Sequence, residues 1–276
     1  MADDGAPGPP REVLDYYEQF REESRLSSGV FQLEFERTKD ILSRVLPPPP
    51  ARVIDVGGAA GAYSAWLADQ GYEVHLIDAS PRLIGEARAR NAVRAKPIAS
   101  ISIGDARGLA QDDASADAVL MMGPLYHLPA AGDRLAALRE ARRVAAGSGV
   151  VVAAAISRYA SALDGLARKV LDPAFSRIRD QDLMDGQHRN TTGRPDYFTT
   201  AYFHRPEDLR TELEDAGFSD VHVLGIEGVG WMFGDFETRW SDAALRHDML
   251  NVARALEAEP SIVGASAHLL GIGRKL

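Results

Sequence analysis

From residue 52 onward, short runs of β-branched and other apolar residues alternate with longer stretches in which apolar positions recur at helical intervals. That alternation is expected of strands joined by crossover helices. It predicts strands at 52–56, 73–77, 101–103, 118–122 and 149–156, with helices over 63–70, 81–93 and 133–144 between them. The second helix has a legible start: Asp78-Ala79-Ser80 supplies a capping residue, and Pro81 a fixed φ in the first turn. Val150-Val151-Val152 is apolar without alternation, as in a strand covered on both faces. The pattern describes a parallel sheet inside an α/β sandwich.

Outside this stretch the pattern is looser. Residues 11–46 read as helical, with Val13, Tyr17, Phe20, Phe35, Ile41, Leu42 and Val45 at helical intervals and a break at Ser27-Ser28-Gly29. Four prolines, at 47–50, make an extended spacer. Three parts result: a disordered leader at 1–10, an N-terminal helical arm with its proline linker at 11–50, and a domain at 51–276. Within that domain, 157–200 shows no strand and one helix, at 160–171, so a cap is expected at about 157–205. A helix at 206–216 ended by Gly217, a strand at 221–226, a helix at 240–258 and a closing strand at 267–272 complete the reading.

Composition narrows the chemistry. The 276 residues include no cysteine, which excludes disulfides, thiolate metal sites and a cysteine nucleophile. Lys and Arg number 31 against 40 Asp and Glu, a net charge of −9, and no basic run is interleaved with aromatics. Such a surface opposes phosphate backbones, so no nucleic-acid partner is expected. The first ten residues lack the basic and apolar parts of a signal peptide. The longest apolar run, 150–156, is far short of the roughly 18 residues of a membrane span. A cytoplasmic protein without membrane contact is the expectation.

The segment Asp55-Val56-Gly57-Gly58-Ala59-Ala60-Gly61-Ala62 takes the chain from a strand through a small-residue turn into a helix. Backbone N–H groups and a helix dipole then face a place that a ligand can approach closely. Asp78 follows at the end of the second strand, where a carboxylate can accept both hydroxyl protons of a ribose. Asp105 follows the third strand. A dinucleotide pattern G-x-G-x-x-G begun at Gly57 would need glycine where Ala59 and Ala62 stand. The pattern D/E-x-G-x-G-x-G is met by Asp55, Gly57 and Gly61, with Ala59 departing.

On these residues the chain resembles the class I S-adenosylmethionine-dependent methyltransferases of the small-molecule type, with good motif order over 52–156. The resemblance implies a Rossmann-like, doubly wound, mainly parallel seven-stranded sheet with helices on both faces, plus the N-terminal arm and an inserted cap. It implies S-adenosyl-L-methionine as cofactor. Gly57, Gly58 and Gly61 then form the turn under the methionine part, and Asp78 becomes the ribose acid. Asp105 and Ala106 meet the adenine. The run Leu120 to Leu128 resembles the family's fourth motif, which places Met122 and Tyr126 beside the sulfonium and the acceptor. The arm would close over the cofactor with Tyr16, Tyr17, Arg25 and Leu26. Position 58 is one where relatives tolerate a cysteine.

Methyl transfer to a small-molecule oxygen, nitrogen or carbon by in-line displacement is the first reading. A general base is needed only if the nucleophile must lose a proton, and histidine suits that task. His127, then His204 and His188, are the candidates, each also readable as a packed structural group. Tyr126, Tyr202 and Trp231 are candidate acceptor contacts. The histidines are too scattered for a metal motif, so no metal is expected. Two alternatives stay open: an NAD(P)-dependent oxidoreductase on a similar sheet, and a non-catalytic protein that keeps the S-adenosylmethionine pocket. Nothing in the sequence sets an oligomeric state.

Overall fold

Consecutive residues of strand β1 (Arg52–Val56) serve opposite faces of one sheet, Val53 packing under one layer of helices and Ile54 under the other. Strand β4 (Ala116–Met121) does the same with Leu120 and Val119, and β5 (Ala145–Ser157) with Val152 and Val151. Both sets are buried, which is why these strands read as unbroken apolar runs. These relations come from a computed structural model that describes residues 10–19, 25–170 and 172–276.

Strands β2 (Glu73–Asp78) and β3 (Ser100–Ile103) lie parallel beside β1, and β4 and β5 continue the parallel sheet on its other side. Strand β9 (His268–Arg274) inserts antiparallel between β5 and β8 (Ser219–Gly225). The seven strands run in the order β3-β2-β1-β4-β5-β9-β8. Three helices cover one face: α2 (Phe31–Val45), α3 (Ala62–Gln70) and α4 (Pro81–Asn91), through Ile41, Leu67 and Ile84 among others. Helices α5 (Ala131–Val144) and α8 (Pro206–Asp215) cover the opposite face, through Leu138, Leu209 and Leu213. The doubly wound Rossmann-like sandwich is therefore present.

Between β5 and α8 the chain departs from expectation. Helix α6 (Ala160–Ala167) stops short of 171, a position outside the described residues. A second helix, α7 (Pro173–Asp185), follows; the Asp172 carboxylate accepts the Ala174 N–H at 2.6 Å and Pro173 opens the first turn. A short strand then appears where none was expected before 200, β6 (Gln187–His188), antiparallel to β7 (Ala201–His204) just beyond it. Strand β7 pairs in parallel with the last residues of β5, Ile156 and Ser157, so the inserted segment is fastened to the sheet's C-terminal edge. The helix expected over 240–258 is two, α9 (Phe236–Ser241) and α10 (Ala243–Leu256). Asp242 separates them because its carboxylate accepts the N–H groups of Ala244 and Leu245, capping a new start.

The N-terminal helix α1 (Arg11–Gln19) crosses the same edge. Arg82 of α4 donates to the Tyr17 carbonyl at 2.6 Å, and the Thr199 hydroxyl donates to the Glu12 carbonyl at 3.1 Å. The helix thus spans from the first half of the sheet to the inserted segment. Phe20, part of the expected arm, lies outside the described residues, as does the leader through residue 9. No helix among the described residues is long and apolar enough to cross a membrane.

Candidate active site

The turn after β1 is set by steric exclusion. Gly57 has φ +72°, and a Cβ there would stand 2.6 Å from Pro124 Cδ. Gly61 has φ +85° and forms the N-cap of α3 in the left-handed region that favours glycine. A Cβ on Gly58 would meet Asp55 Oδ2 at 2.6 Å, so here position 58 does not accept cysteine unless Asp55 moves. Ala59, the departure from the glycine pattern, itself takes a positive φ of 49°. Its N–H is donated to Asp78 Oδ2 at 2.9 Å. The extra methyl is accommodated, and the strain is held by a carboxylate.

Asp55 is fully buried beneath this turn. Its Oδ2 accepts the Ser64 hydroxyl at 2.6 Å, while Oδ1 has no hydrogen-bond partner among the described residues. Burial, aided by the nearby Asp78 charge, pushes its carboxyl up to about 6. Asp78 is also raised by burial, against the N–H groups of Ser80, Ala59 and Ala79 that hold it. Asp105 is lowered instead: burial opposes ionisation, but the Arg107 side chain and backbone N–H prevail. Of about four lone-pair positions on a carboxylate, Arg107 takes three through its N, Nε and Nη2. One acceptor position is left for a ligand.

Two clefts open at the C-terminal edge of the sheet, where ligands bind in open α/β folds. The first, about 1120 Å³ of space, runs over Gly57, Gly58, Asp78, Asp105, Ala106 and Met122 and is roofed by Val13, Leu14 and Tyr17 of α1. The second, about 1510 Å³, lies between α1 and the inserted segment, with Phe175, Phe198, Phe203 and Trp231 in its wall. Tyr17, Arg25 and Tyr126 line both. The clefts therefore adjoin at these residues.

His127 stands at that junction. It is buried, its Nε2 lies 2.8 Å from the Tyr17 hydroxyl, and burial lowers it to about 4, so the ring is neutral at pH 7. Tyr16, Tyr17, Tyr126 and Phe198 close an aromatic wall around it, with ring centroids 4.6–5.8 Å apart in successive contacts.

The other two candidate histidines belong elsewhere. Strand β7 has period two, so Ala201 and Phe203 face the second cleft's cluster while Tyr202 and His204 turn away. His204 bonds Glu212 at 3.1 Å, and the Tyr202 ring lies 3.7 Å beneath the Arg134 guanidinium; neither residue lines a cleft. His188 does border the second cleft, but only 1% of it is exposed and both ring nitrogens are engaged, by Asp182 at 2.9 Å and the Tyr197 carbonyl at 2.8 Å. It is a strut of the inserted segment. Trp231 lines the second cleft with its Nε1 held by the Ala265 carbonyl. Arg25 reaches the junction with its guanidinium on Glu34, at 2.5 and 3.0 Å.

A charged cluster that sequence reasoning missed borders the second cleft. His268 Nδ1 lies 2.5 Å from Glu227 Oε1 and 3.7 Å from Glu34 Oε2. Glu227 Oε2 accepts from the Ser266 hydroxyl and the His268 N–H. These residues lie far apart in sequence; the one available hint was a histidine inside the closing strand. Donor atoms of Glu34, Glu227 and His268 lie within 4.8 Å of one another, the spacing of a cation site. Here the positive charge comes from the imidazole and from Arg25.

A glycine-shaped turn over an orphaned carboxylate oxygen, with acids at two further strand ends, is the arrangement of a Rossmann-like protein suited to a nucleoside-type cofactor. Residues 53–149 match the family model of a methyltransferase domain. That domain, on this fold, supports a class I methyltransferase with S-adenosylmethionine as cofactor. That decides against the nicotinamide alternative. Solved structures share the fold at low identity. A methyltransferase from Thermotoga maritima, described as a possible histamine N-methyltransferase, is 18% identical over 95% of this chain and 99% of its own, with TM-score 0.58. One from Mesorhizobium loti is 17% identical over 88% and 100%, with TM-score 0.58. A complex of the Haloferax volcanii Trm112 methyltransferase activator with a putative methyltransferase matches at 18% over 95% and 96%, with TM-score 0.58. No curated protein matches the chain significantly.

Proposed function

We propose that the protein methylates a nitrogen of a small molecule held in the second cleft. The observation that carries this reading is the adjacency of the two clefts at Tyr17, Arg25 and Tyr126, beside a neutral, buried His127. When bound, S-adenosylmethionine supplies a methyl group on a sulfonium, already activated for displacement. The Gly57-Gly58 backbone would carry its methionine part, Asp78 its ribose hydroxyls, and Asp105 with Ala106 its adenine.

The chain's own task is then to align a nucleophile and exclude water, which can supply much of the barrier reduction. Helix α1 roofs the first cleft and does the excluding. His127, lowered to about 4, is too weak a base to ionise a hydroxyl, but a free amine needs no such help. The rings of Tyr16, Tyr17, Tyr126 and Phe198 favour positive charge developing on that nitrogen. His127 orients the Tyr17 hydroxyl rather than acting alone.

Incubation with methyl-tritiated S-adenosylmethionine and a small-molecule extract tests this. Label is expected in a low-mass product, on nitrogen by mass spectrometry. Label on oxygen or only on macromolecules would overturn the reading, and cofactor binding without any transfer would favour the non-catalytic alternative.

A further inference from the structure

We infer that His268 is an anchor for an anionic oxygen of the acceptor. This deepens the functional reading above and rests on it, since the second cleft must be where the acceptor lies.

The imidazole is held as a dyad. Glu227 fixes Nδ1 at 2.5 Å, and Glu227 is itself fixed by the Ser266 hydroxyl at 2.6 Å and the His268 N–H at 3.1 Å. That arrangement leaves the ring no freedom to turn over, and it directs the other nitrogen outward. Nε2 makes no hydrogen bond with any described residue and is not a buried orphan atom, although His268 lines the second cleft. A fifth of the side chain is exposed, so the nitrogen is reachable.

Charge decides what it can bind. The groups facing the ring are Glu227, after β8; Glu34, on α2; and Arg25, which pairs with Glu34. Burial opposes its charge, but the two carboxylates prevail and push it up to about 9. At pH 7 Nε2 is an N–H donor carrying positive charge. The carboxylates lining this cleft each have a cation already: Asp164 has Arg168, Asp196 has Arg194, and Glu227 has His268. The hydrogen-bonding capacity left over at His268 is therefore that of a donor. An acceptor molecule with an oxyanion at one end and an amine at the other would satisfy both His268 and the junction at His127.

Calorimetry in the presence of S-adenosylhomocysteine at pH 7.5 tests this with benzoate, phenyl phosphate and benzamide. Benzoate and benzamide have nearly the same shape and differ in charge; benzoate and phenyl phosphate separate a carboxylate from a phosphate source. At least one anion should bind about tenfold more tightly than benzamide, the worth of one charge-assisted hydrogen bond. His268→Gln should erase that preference while leaving S-adenosylhomocysteine affinity unchanged. In Glu227→Gln, the pH at which anion binding fades should fall below that of the wild type, a change that mere packing would not produce. Equal binding of benzamide and both anions overturns the inference, as does a preference that survives in His268→Gln. Failure of every anion to bind while S-adenosylhomocysteine binds overturns it too, and leaves the methyltransferase reading intact. Absence of S-adenosylhomocysteine binding to the wild type would overturn that reading itself.

Discussion

At the scale of single residues, the turn after β1 depends on what is missing from it. Gly58 has no room for a Cβ because Asp55 Oδ2 would lie 2.6 Å away, on a carboxyl locked by Ser64. Gly58→Ala must displace either the buried acid or the backbone that would carry the cofactor. Overpacking of this kind costs about 1–3 kcal/mol. A lower melting temperature and a loss of about tenfold or more in S-adenosylhomocysteine affinity are expected by calorimetry; unchanged affinity would show that the turn does not touch the ligand. Besides the ribose contact proposed for it, Asp78 holds the N–H groups of Ala59 and Ser80 with its two oxygens. Asp78→Ala should remove most of the rise in melting temperature that S-adenosylmethionine produces. Asp78→Asn, which keeps one acceptor oxygen, should retain part of it.

At the scale of elements, strands buried on both faces were legible because apolar residues fill nearly every position there. Strand β7 was not. The run Tyr197-Phe198-Thr199-Thr200-Ala201-Tyr202-Phe203-His204 carries aromatic residues on both of its faces, so the two-residue period that separates Phe203 from Tyr202 is hidden. Pairing with the end of β5 reveals it, and with it the reason that Tyr202 and His204 lie outside the clefts. Helix α7 was equally obscure, though Asp172-Pro173 was a start signal in plain view. The inserted segment is knitted by Asp182, which is fully buried and shared between the Ser161 hydroxyl and His188. Asp182→Ala would leave the Ser161 hydroxyl and a buried His188 nitrogen without their partner and should cost about 1–3 kcal/mol. The melting temperature should fall while S-adenosylhomocysteine affinity stays within a factor of about two, because Asp182 borders neither the turn nor Asp78. A large loss of cofactor affinity would mean that the segment and the first cleft are coupled.

At the scale of the whole molecule, the cluster beside the second cleft gathers Arg25 before α2, Glu34 on α2, Glu227 after β8 and His268 on β9. No periodicity or local motif could have joined them, because they meet only once the sheet has closed. Their meeting has a consequence for stability. An unfolded histidine titrates near 6.5, whereas His268 is held near 9 by the two carboxylates that face it, in spite of its burial. The folded protein therefore binds this proton more tightly than the unfolded chain does. The resulting stabilisation is complete below about 6.5 and is lost as pH rises through about 9. His268→Gln removes it at every pH, and every other titrating group is common to both proteins. The difference in melting temperature between wild type and variant should be largest at pH 6, shrink through pH 7–9, and be small above that range. A difference that does not change with pH would mean that His268 contributes through packing alone, and that the imidazole in the second cleft carries no charge to offer an acceptor.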